Sequence, residues 1–283
     1  NYIPAFHGFF CGYNWRINSP EIQLDSNNQH PVFNGIELGI GTWAWGDRLV
    51  WGFGNGYNER DVREAFYESI KGGIRFFDTA EVYGQGKSEI ILGDLMQEID
   101  GEIIIATKMM PYPWRIYKDS LRKALTNSLK RLRTQRVALY QMHLPFPPFG
   151  PEKWMSRMLE LREEGLIDAI GVSNYDLPQT IAANETLKKH GLRLAANQVE
   201  YHLLDRTIEK NGLLARCQEL GIRVIAYSPL AKGYLALTVA MTDTFGGPAP
   251  SPSAEGRGPF AGLTLDLGPD GGGVGNQESV EAT

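Results

Sequence analysis

The chain has 283 residues, of which 42% are hydrophobic and 22% are charged, a composition typical of a globular protein with a sizeable core. Its net charge of -5 argues against a protein that binds nucleic acid through the phosphates. No apolar run approaches the roughly 20 residues that a membrane helix requires. The two cysteines, Cys11 and Cys217, lie far apart and outside any metal-binding spacing, which indicates a reduced compartment without disulfides.

The N-terminal segment, residues 1–33, has the pattern of neither a signal peptide nor a transit peptide. It also lacks a clear strand or helix pattern, so we expect an irregular extension. Because the chain starts at Asn1 rather than Met, we expect a fragment or a processed form, and targeting is left open.

Residues 34–237 repeat an apolar strand followed by an amphipathic helix, with a spacing of about 30 residues. The helix ends are readable: Asn58 precedes one helix that Gly72 ends, and Pro151 opens another that Gly165 ends. Short, nearly continuous apolar strands are typical of parallel strands buried on both faces. The pattern predicts a TIM-type β/α barrel in which about seven of the eight strand–helix units are recognisable. The strand candidates begin near residues 36, 74, 102, 137, 167, 194 and 222.

Residues 238–283 are rich in Gly and Pro and carry Arg257 as their one basic side chain. We expect this tail to be disordered. The alternating stretch Leu263–Leu267 suits a half-exposed strand rather than a barrel strand. Without an eighth strand, the first and seventh strands of the barrel are expected to be left unpaired.

Polar side chains stand at or directly after the ends of successive predicted strands. Because parallel strands of a barrel all deliver their C-terminal ends to one rim, these groups should converge on a single site. The pattern therefore predicts an enzyme. The residues are Asp78, Lys108, His143, Asn174, Gln198 and Ser228.

Several short motifs occur in the chain in a fixed order: Leu38-Gly-Ile-Gly-Thr-Trp43, Phe77-Asp-Thr-Ala-Glu-Val-Tyr-Gly84, Ala106-Thr-Lys108, Leu139-Tyr-Gln-Met-His143, Gly171-Val-Ser-Asn-Tyr175, Asn197-Gln198 and Ala226-Tyr-Ser-Pro-Leu230. Through these motifs the chain resembles the aldo-keto reductase family from about Ile36 to Leu235, and it looks closest to members from plants and photosynthetic microbes. The resemblance implies a β/α barrel that uses NADPH to reduce aldehydes and ketones, in the cytoplasm or a plastid. The catalytic tetrad that it implies falls on Asp78, Tyr83, Lys108 and His143.

The tetrad makes chemical sense. Carbonyl reduction needs a proton donor for the developing alkoxide, and a tyrosine with a pKa of about 10 is protonated at neutral pH. The ammonium of Lys108 is expected to lower the pKa of Tyr83, and Asp78 to hold Lys108 charged and in place. His143 can orient the substrate oxygen. Taken singly, each has a structural alternative: Asp78 as a helix cap, Lys108 as a surface charge, His143 as a core histidine and Tyr83 as a loop aromatic.

Aromatic residues follow several predicted strands and could line an apolar pocket: Trp43, Trp45, Trp51 and Phe53 after the first, Tyr112 and Trp114 after the third, and Phe146 and Phe149 after the fourth. Of these, Trp43 and Trp114 are expected to form pocket walls. The resemblance implies the cofactor contacts, and Leu144 stands where the family often has Trp. No metal is predicted, because His143 has no second rim histidine in ligand spacing. The expected NADPH-binding residues are Thr42, Trp43, Ser173, Asn174, Gln198, Tyr227, Ser228, Pro229 and Leu230.

The family pattern stops at about Leu235, before the segments that complete the pyrophosphate and 2′-phosphate contacts. Losing two or three charge-assisted hydrogen bonds would weaken NADPH binding by about 3–9 kcal/mol. This leaves open an alternative function, a catalytically weak or silent relative that binds nucleotide poorly or acts through a partner. A Schiff-base lyase that uses Lys108 is a third, weaker hypothesis. The natural substrate, the direction of flux and the oligomeric state are not predicted.

Overall fold

The computed structural model of the protein describes residues 9–11 and 30–235. Strands alternate with helices along most of this range, as the repeat predicts. The strands are β1 (Phe9–Cys11), β2 (Leu38–Gly41), β3 (Phe76–Asp78), β4 (Ile104–Met109), β5 (Val137–Met142), β6 (Ile167–Ser173), β7 (Ala196–Glu200) and β8 (Arg223–Tyr227). The helices are α1 (Glu59–Lys71), α2 (Lys87–Met96), α3 (Ser120–Leu132), α4 (Pro151–Glu163), α5 (Leu177–Lys188), α6 (Thr207–Lys210) and α7 (Leu213–Glu219), with single 3-10 turns at Pro31–Phe33, Tyr83–Gly86 and Ala231–Gly233.

Strands β2 to β8 run parallel, and each pairs with the next along the chain. They form seven strands of a nearly closed barrel with alternating helices, so the predicted fold class is confirmed. Each strand begins within two residues of its predicted start. The registers align neighbouring strand ends, with Asp78 beside Ala106 and Lys108 beside Gln141. The C-terminal ends therefore open on one rim.

The core lies on both faces of the sheet, which explains why the strands read as continuous apolar runs. Phe77 on β3 packs outward with helix residues such as Phe66, while Phe76 packs inside the barrel. Cys217 on α7 is buried in the outer cluster, and burial raises the pKa of its thiol to about 12. Its predicted role as packing is confirmed.

The readable helix ends are confirmed as well. Asn58 accepts a hydrogen bond from the Arg60 backbone at 2.9 Å, and Asp61 accepts one from the Asn58 backbone at 2.7 Å. This reciprocal pair is a capping box, which satisfies N–H groups that the helix itself cannot. Gly72 caps the other end of α1, and Pro151 occupies the first turn of α4.

Two expectations fail at the open edge of the barrel. Residues 1–33 are not irregular throughout, because β1 lies within them. The first parallel strand is not left unpaired, since β1 pairs antiparallel with β2 and also lies beside β8. A three-residue strand gives too short a pattern to be recognised from sequence. The predicted disordered tail of residues 238–283, including Leu263–Leu267, lies outside the described residues.

The described part of the chain contains no helix long and apolar enough to cross a membrane.

Candidate active site

The period of the β-strand explains how polar groups reach the barrel interior. Side chains two positions apart on a strand point to the same face. The inner apolar cluster includes Phe76, Ala106, Leu139 and Ala196. Two positions further along the same strands stand Asp78, Lys108, Gln141 and Gln198. A polar layer therefore lies above an apolar one, at the C-terminal ends of β3, β4, β5 and β7.

Asp78 and Lys108 form a buried ion pair in this layer, with side chains that are 1% and 0% exposed. Lys108 Nζ donates to Asp78 Oδ2 and also to the Thr79 carbonyl at 2.9 Å. Asp78 Oδ1 accepts from the amides of Gln141 at 3.2 Å and Gln198 at 3.1 Å. Both charges are thus paired and hydrogen-bonded, the condition under which a protein interior tolerates them.

Tyr83 completes the cluster from the turn after β3. Lys108 Nζ donates to its hydroxyl at 3.2 Å and lies 4.9 Å from its ring centroid. Gly84, with φ of 54°, follows it, and a Cβ there would lie 2.7 Å from the Gly46 carbonyl oxygen. Only glycine fits this close approach, which fixes the turn that carries Tyr83. Trp43 stacks on the tyrosine ring at 5.8 Å between centroids.

Burial and the ion pair have opposing effects on the pKa values of Lys108 and Asp78. Burial acts to lower the pKa of Lys108. The attraction of Asp78 and the hydrogen bonds that Lys108 donates to Asp78 and Tyr83 outweigh burial, so the pKa of Lys108 is raised. Burial raises the pKa of Asp78, against the opposing effect of Lys108 and the two glutamine amides. Lys108 therefore remains an ammonium at neutral pH.

The pKa of Tyr83 is raised, because burial outweighs the lowering effect of Lys108. The contribution of Lys108 to the pKa of Tyr83 has the predicted sign. Sequence alone could not show whether burial or Lys108 has the larger effect on this pKa, since the result depends on how completely the hydroxyl is buried. The consequence is a neutral phenol whose proton is held next to a cation.

His143 follows β5 and meets Tyr83 edge-on, at 5.6 Å between ring centroids and an interplanar angle of 83°. Burial, together with Lys108, lowers its pKa to about 3. Its imidazole is therefore neutral and offers one N–H donor and one acceptor. Asn174 holds the segment in place, because its amide donates to the His143 carbonyl at 3.2 Å and its Oδ1 accepts from Tyr227 at 3.0 Å.

A cavity of about 340 Å³ opens above this cluster. It brings together three of the four predicted catalytic residues, while Lys108 lies directly behind them. Of the predicted cofactor residues, all but Thr42 line it. The predicted residues on the lining are Asp78, Tyr83, His143, Trp43, Ser173, Asn174, Gln198, Tyr227, Ser228, Pro229 and Leu230.

Two predicted site residues lie elsewhere. Thr42 is completely buried and its hydroxyl bonds Ser88 at 2.6 Å and the Asp78 carbonyl at 3.1 Å, so it supports the strand end rather than lining the cavity. Trp114 is 67% exposed and stacks on Tyr112 at 4.6 Å, outside the lining. Its neighbour Arg115 pairs with Glu81, with Nη2 donating to Oε2 at 3.0 Å.

Some lining residues were missed. Trp51 takes the wall position expected of Trp114 and meets Trp43 edge-on at 5.5 Å. It was visible as one of several rim aromatics, but sequence gave no means of choosing among them. Glu200 and Lys232 also line the cavity and lie 3.8 Å apart. Gln141 was also not predicted, although it lies two positions after Leu139 on β5 and therefore points to the same inner face of the sheet.

The barrel agrees with the comparison to known proteins. The chain belongs to the aldo/keto reductase family, whose family model matches residues 37–256. Over 211 residues it is 36% identical to a chloroplastic pyridoxal reductase from Arabidopsis thaliana, covering 70% of this chain and 58% of that protein. It is 31% identical to an NADH-specific methylglyoxal reductase from Escherichia coli, covering 74% and 68%.

Solved structures give the same picture. A crystal structure of an aldo/keto reductase from Klebsiella pneumoniae, in complex with NADP and acetate, superposes with a TM-score of 0.59 at 32% identity. The match covers 70% of this chain and 65% of that one. The chain therefore spans a little under two thirds of the length of several relatives.

Proposed function

We propose that the protein reduces an aldehyde or ketone to an alcohol, with NADPH as the hydride donor. The observation that carries this proposal is the Tyr83 hydroxyl at the cavity, 3.2 Å from the buried Lys108 Nζ. Carbonyl reduction needs a general acid held where charge develops on the carbonyl oxygen. A buried phenol beside a cation meets that need.

The chemistry of the cavity edge fits a nicotinamide cofactor. Amides and hydroxyls of Ser173, Asn174, Gln198 and Tyr227 lie together on one side of the cavity and would hold the carboxamide. A volume of about 340 Å³ lies in the usual range for a ligand pocket. When bound, the cofactor supplies the hydride. Two relatives named above, one bound to NADP and one named as NADH-specific, support a nicotinamide cofactor in this chain too.

Each member of the tetrad has a separate task. Tyr83 keeps its proton until the alkoxide forms, because burial favours the neutral phenol. Lys108 stabilises the phenolate left behind, and Asp78 keeps Lys108 charged and in place. The neutral imidazole of His143 can direct the carbonyl oxygen toward the Tyr83 hydroxyl.

The cavity lining also has an apolar part, which favours the organic part of the substrate. The apolar lining residues include Trp43, Trp51, Val82, Met110 and Leu144. Such a lining favours a small carbonyl compound with an apolar group over a strongly charged one.

The direct test is Tyr83→Phe, assayed by the loss of NADPH absorbance with a series of aldehydes. Removing a general acid should lower kcat by about 10²–10⁴-fold with the fold intact. The matched control is Tyr112→Phe, which removes a hydroxyl from a tyrosine outside the cavity and should leave kcat unchanged. Normal turnover by the Tyr83 variant would refute the assignment. A parent chain that binds NADPH but turns over no carbonyl would instead favour a silent relative.

A further inference from the structure

Gln141 occupies the centre of the polar layer and has no part in the tetrad. Its strand partners are Lys108 on β4 and Gly171 on β6, so the three residues form one row across the sheet. The side chain of Gln141 is completely buried and does not line the cavity. It is therefore placed to act on the tetrad without touching a ligand.

The neighbouring strand makes room for this glutamine. A Cβ on Gly171 would lie 2.9 Å from Gln141 Cγ, so any larger residue at that position would collide with it. The Gln141 amide donates one hydrogen bond, from Nε2 to Asp78 Oδ1 at 3.2 Å. Its oxygen, Oε1, is buried and has no hydrogen-bond partner among the described residues. A buried unpaired carbonyl is costly, so the donor end must offset that cost.

Asp78 Oδ1 accepts hydrogen bonds from two amides, of which one lines the cavity and the other lies behind it. Gln198, at 3.1 Å, lines the cavity and is one of the residues that would hold the nicotinamide. Gln141, at 3.2 Å, lies behind the cavity surface. A ligand that competes for the Gln198 amide would leave Gln141 as the donor that still holds Oδ1.

We propose that Gln141 is a positioning residue that keeps Asp78 ionised and directed at Lys108 while Gln198 binds the ligand. The inference rests on the proposed reductase function for its consequence in catalysis, but the effect on Asp78 holds for the protein alone. Burial raises the pKa of Asp78, and the amide of Gln141 is among the groups that oppose this rise. Without that donor the ion pair would be lost at a higher pH.

The charged and titratable groups around Asp78 are few. Lys108 reaches it from β4 and Tyr83 from the turn after β3. His143, at the end of β5, is influenced by Lys108 and is neutral over most of the pH range. A change in the titration of Asp78 in a Gln141 variant can therefore be attributed to the lost donor and its effect on this one ion pair.

The experiment uses Gln141→Met, which is close in size and removes both polar atoms. The apparent pKa of Asp78 is read from carboxyl ¹³C NMR of Asp-labelled full-length chain, with the signal identified by its loss in Asp78→Asn. Because one hydrogen bond to a charged group is lost, the apparent pKa of Asp78 should rise by about one to two pH units. The acid limb of kcat should move up by the same amount, with little change in KM.

Tyr140→Phe is the matched control, because it removes a buried hydroxyl from the adjacent position of the same strand, and this hydroxyl has no hydrogen-bond partner in the described part of the chain. It should move neither the Asp78 titration nor the acid limb. Gln141→Leu serves should the methionine variant fail to fold, because it also removes the amide donor and should raise the apparent pKa of Asp78 in the same way.

A titration of Asp78 in the Gln141 variants that matches the Tyr140→Phe control would overturn the proposal. Because the NMR titration needs no cofactor or substrate, it decides the matter even if the reductase assay fails. A shifted titration without turnover in the parent would count against the proposed function and not against the role of Gln141.

Discussion

Strands form the floor of the cavity and loops form its wall, and the chain holds the two in different ways. The floor consists of Asp78 and Gln198, with Lys108 and Gln141 directly behind them. All four are at most 1% exposed, and their hydrogen bonds connect four strands. The wall (Trp43, Trp51 and Leu144) lies on segments that follow β2 and β5. The sheet therefore fixes the positions of the buried polar groups, whereas the loops determine the shape of the cavity wall.

One carboxylate holds the base of the wall in place. Asp47 Oδ2 accepts from the indole of Trp43 at 3.1 Å, and Oδ1 accepts from the backbone of Leu49 and Val50 at 3.0 and 2.9 Å. Trp43 in turn stacks on Tyr83. Leu49 on the same loop is 88% exposed. The loop is thus anchored through Asp47, while part of its side-chain surface faces solvent.

The largest effect on stability is expected from breaking the floor. Lys108→Met leaves Asp78 buried without its cation, which should lower the free energy of unfolding by about 3–5 kcal/mol. Denaturant unfolding of the purified variant measures this. Arg136→Gln is the control, since its partner Asp168 lies 3.4 Å away at the surface and exposed pairs contribute little. A loss in the Lys108 variant no larger than in this control would show that the ion pair does not stabilise the floor.

A pH effect should come from His143. Its pKa is about 3 in the folded chain, against 6.5 as the ordinary value, so the unfolded state takes up a proton first on acidification. Stability should therefore fall as pH drops below about 6.5, by up to about 1.4 kcal/mol per pH unit from this residue. His143→Gln should remove that part of the slope, as measured by denaturant unfolding across the acidic range. The exposed His190 provides the control, because His190→Gln should leave the slope intact.

The smallest effect should come from the wall. Trp51→Ala removes a cavity-lining ring and its edge contact with Trp43, and aromatic contacts of this kind contribute about 0.5–1.5 kcal/mol. We expect KM for an aromatic aldehyde to rise by about 2–10-fold with kcat retained. Trp114→Ala, which removes an equal ring outside the cavity, should leave KM unchanged. Equal changes in the two variants would contradict the division between floor and wall.

The same division decides what could be predicted from sequence. Asp78, Lys108 and His143 were found because each ends an apolar run, and parallel strands must deliver such ends to one rim. Trp114 was misplaced because nothing in a loop sequence says which way its ring turns. The strand β1 was missed because three residues carry no usable period. The lowering effect of Lys108 on the pKa of Tyr83 was predicted, but the larger effect of burial, which raises that pKa, could not be read from sequence.

Gly171 has a consequence for how such sequences can change. The space that it leaves is filled by Gln141, with 2.9 Å between the missing Cβ and Gln141 Cγ. Alanine at position 171 should therefore be tolerated only when position 141 carries a smaller side chain, and a smaller side chain at 141 would leave a void unless 171 grows. The two positions should therefore be substituted as a pair. A library of variants that changes only one of them would lose active sequences because of poor packing and not because of an altered site.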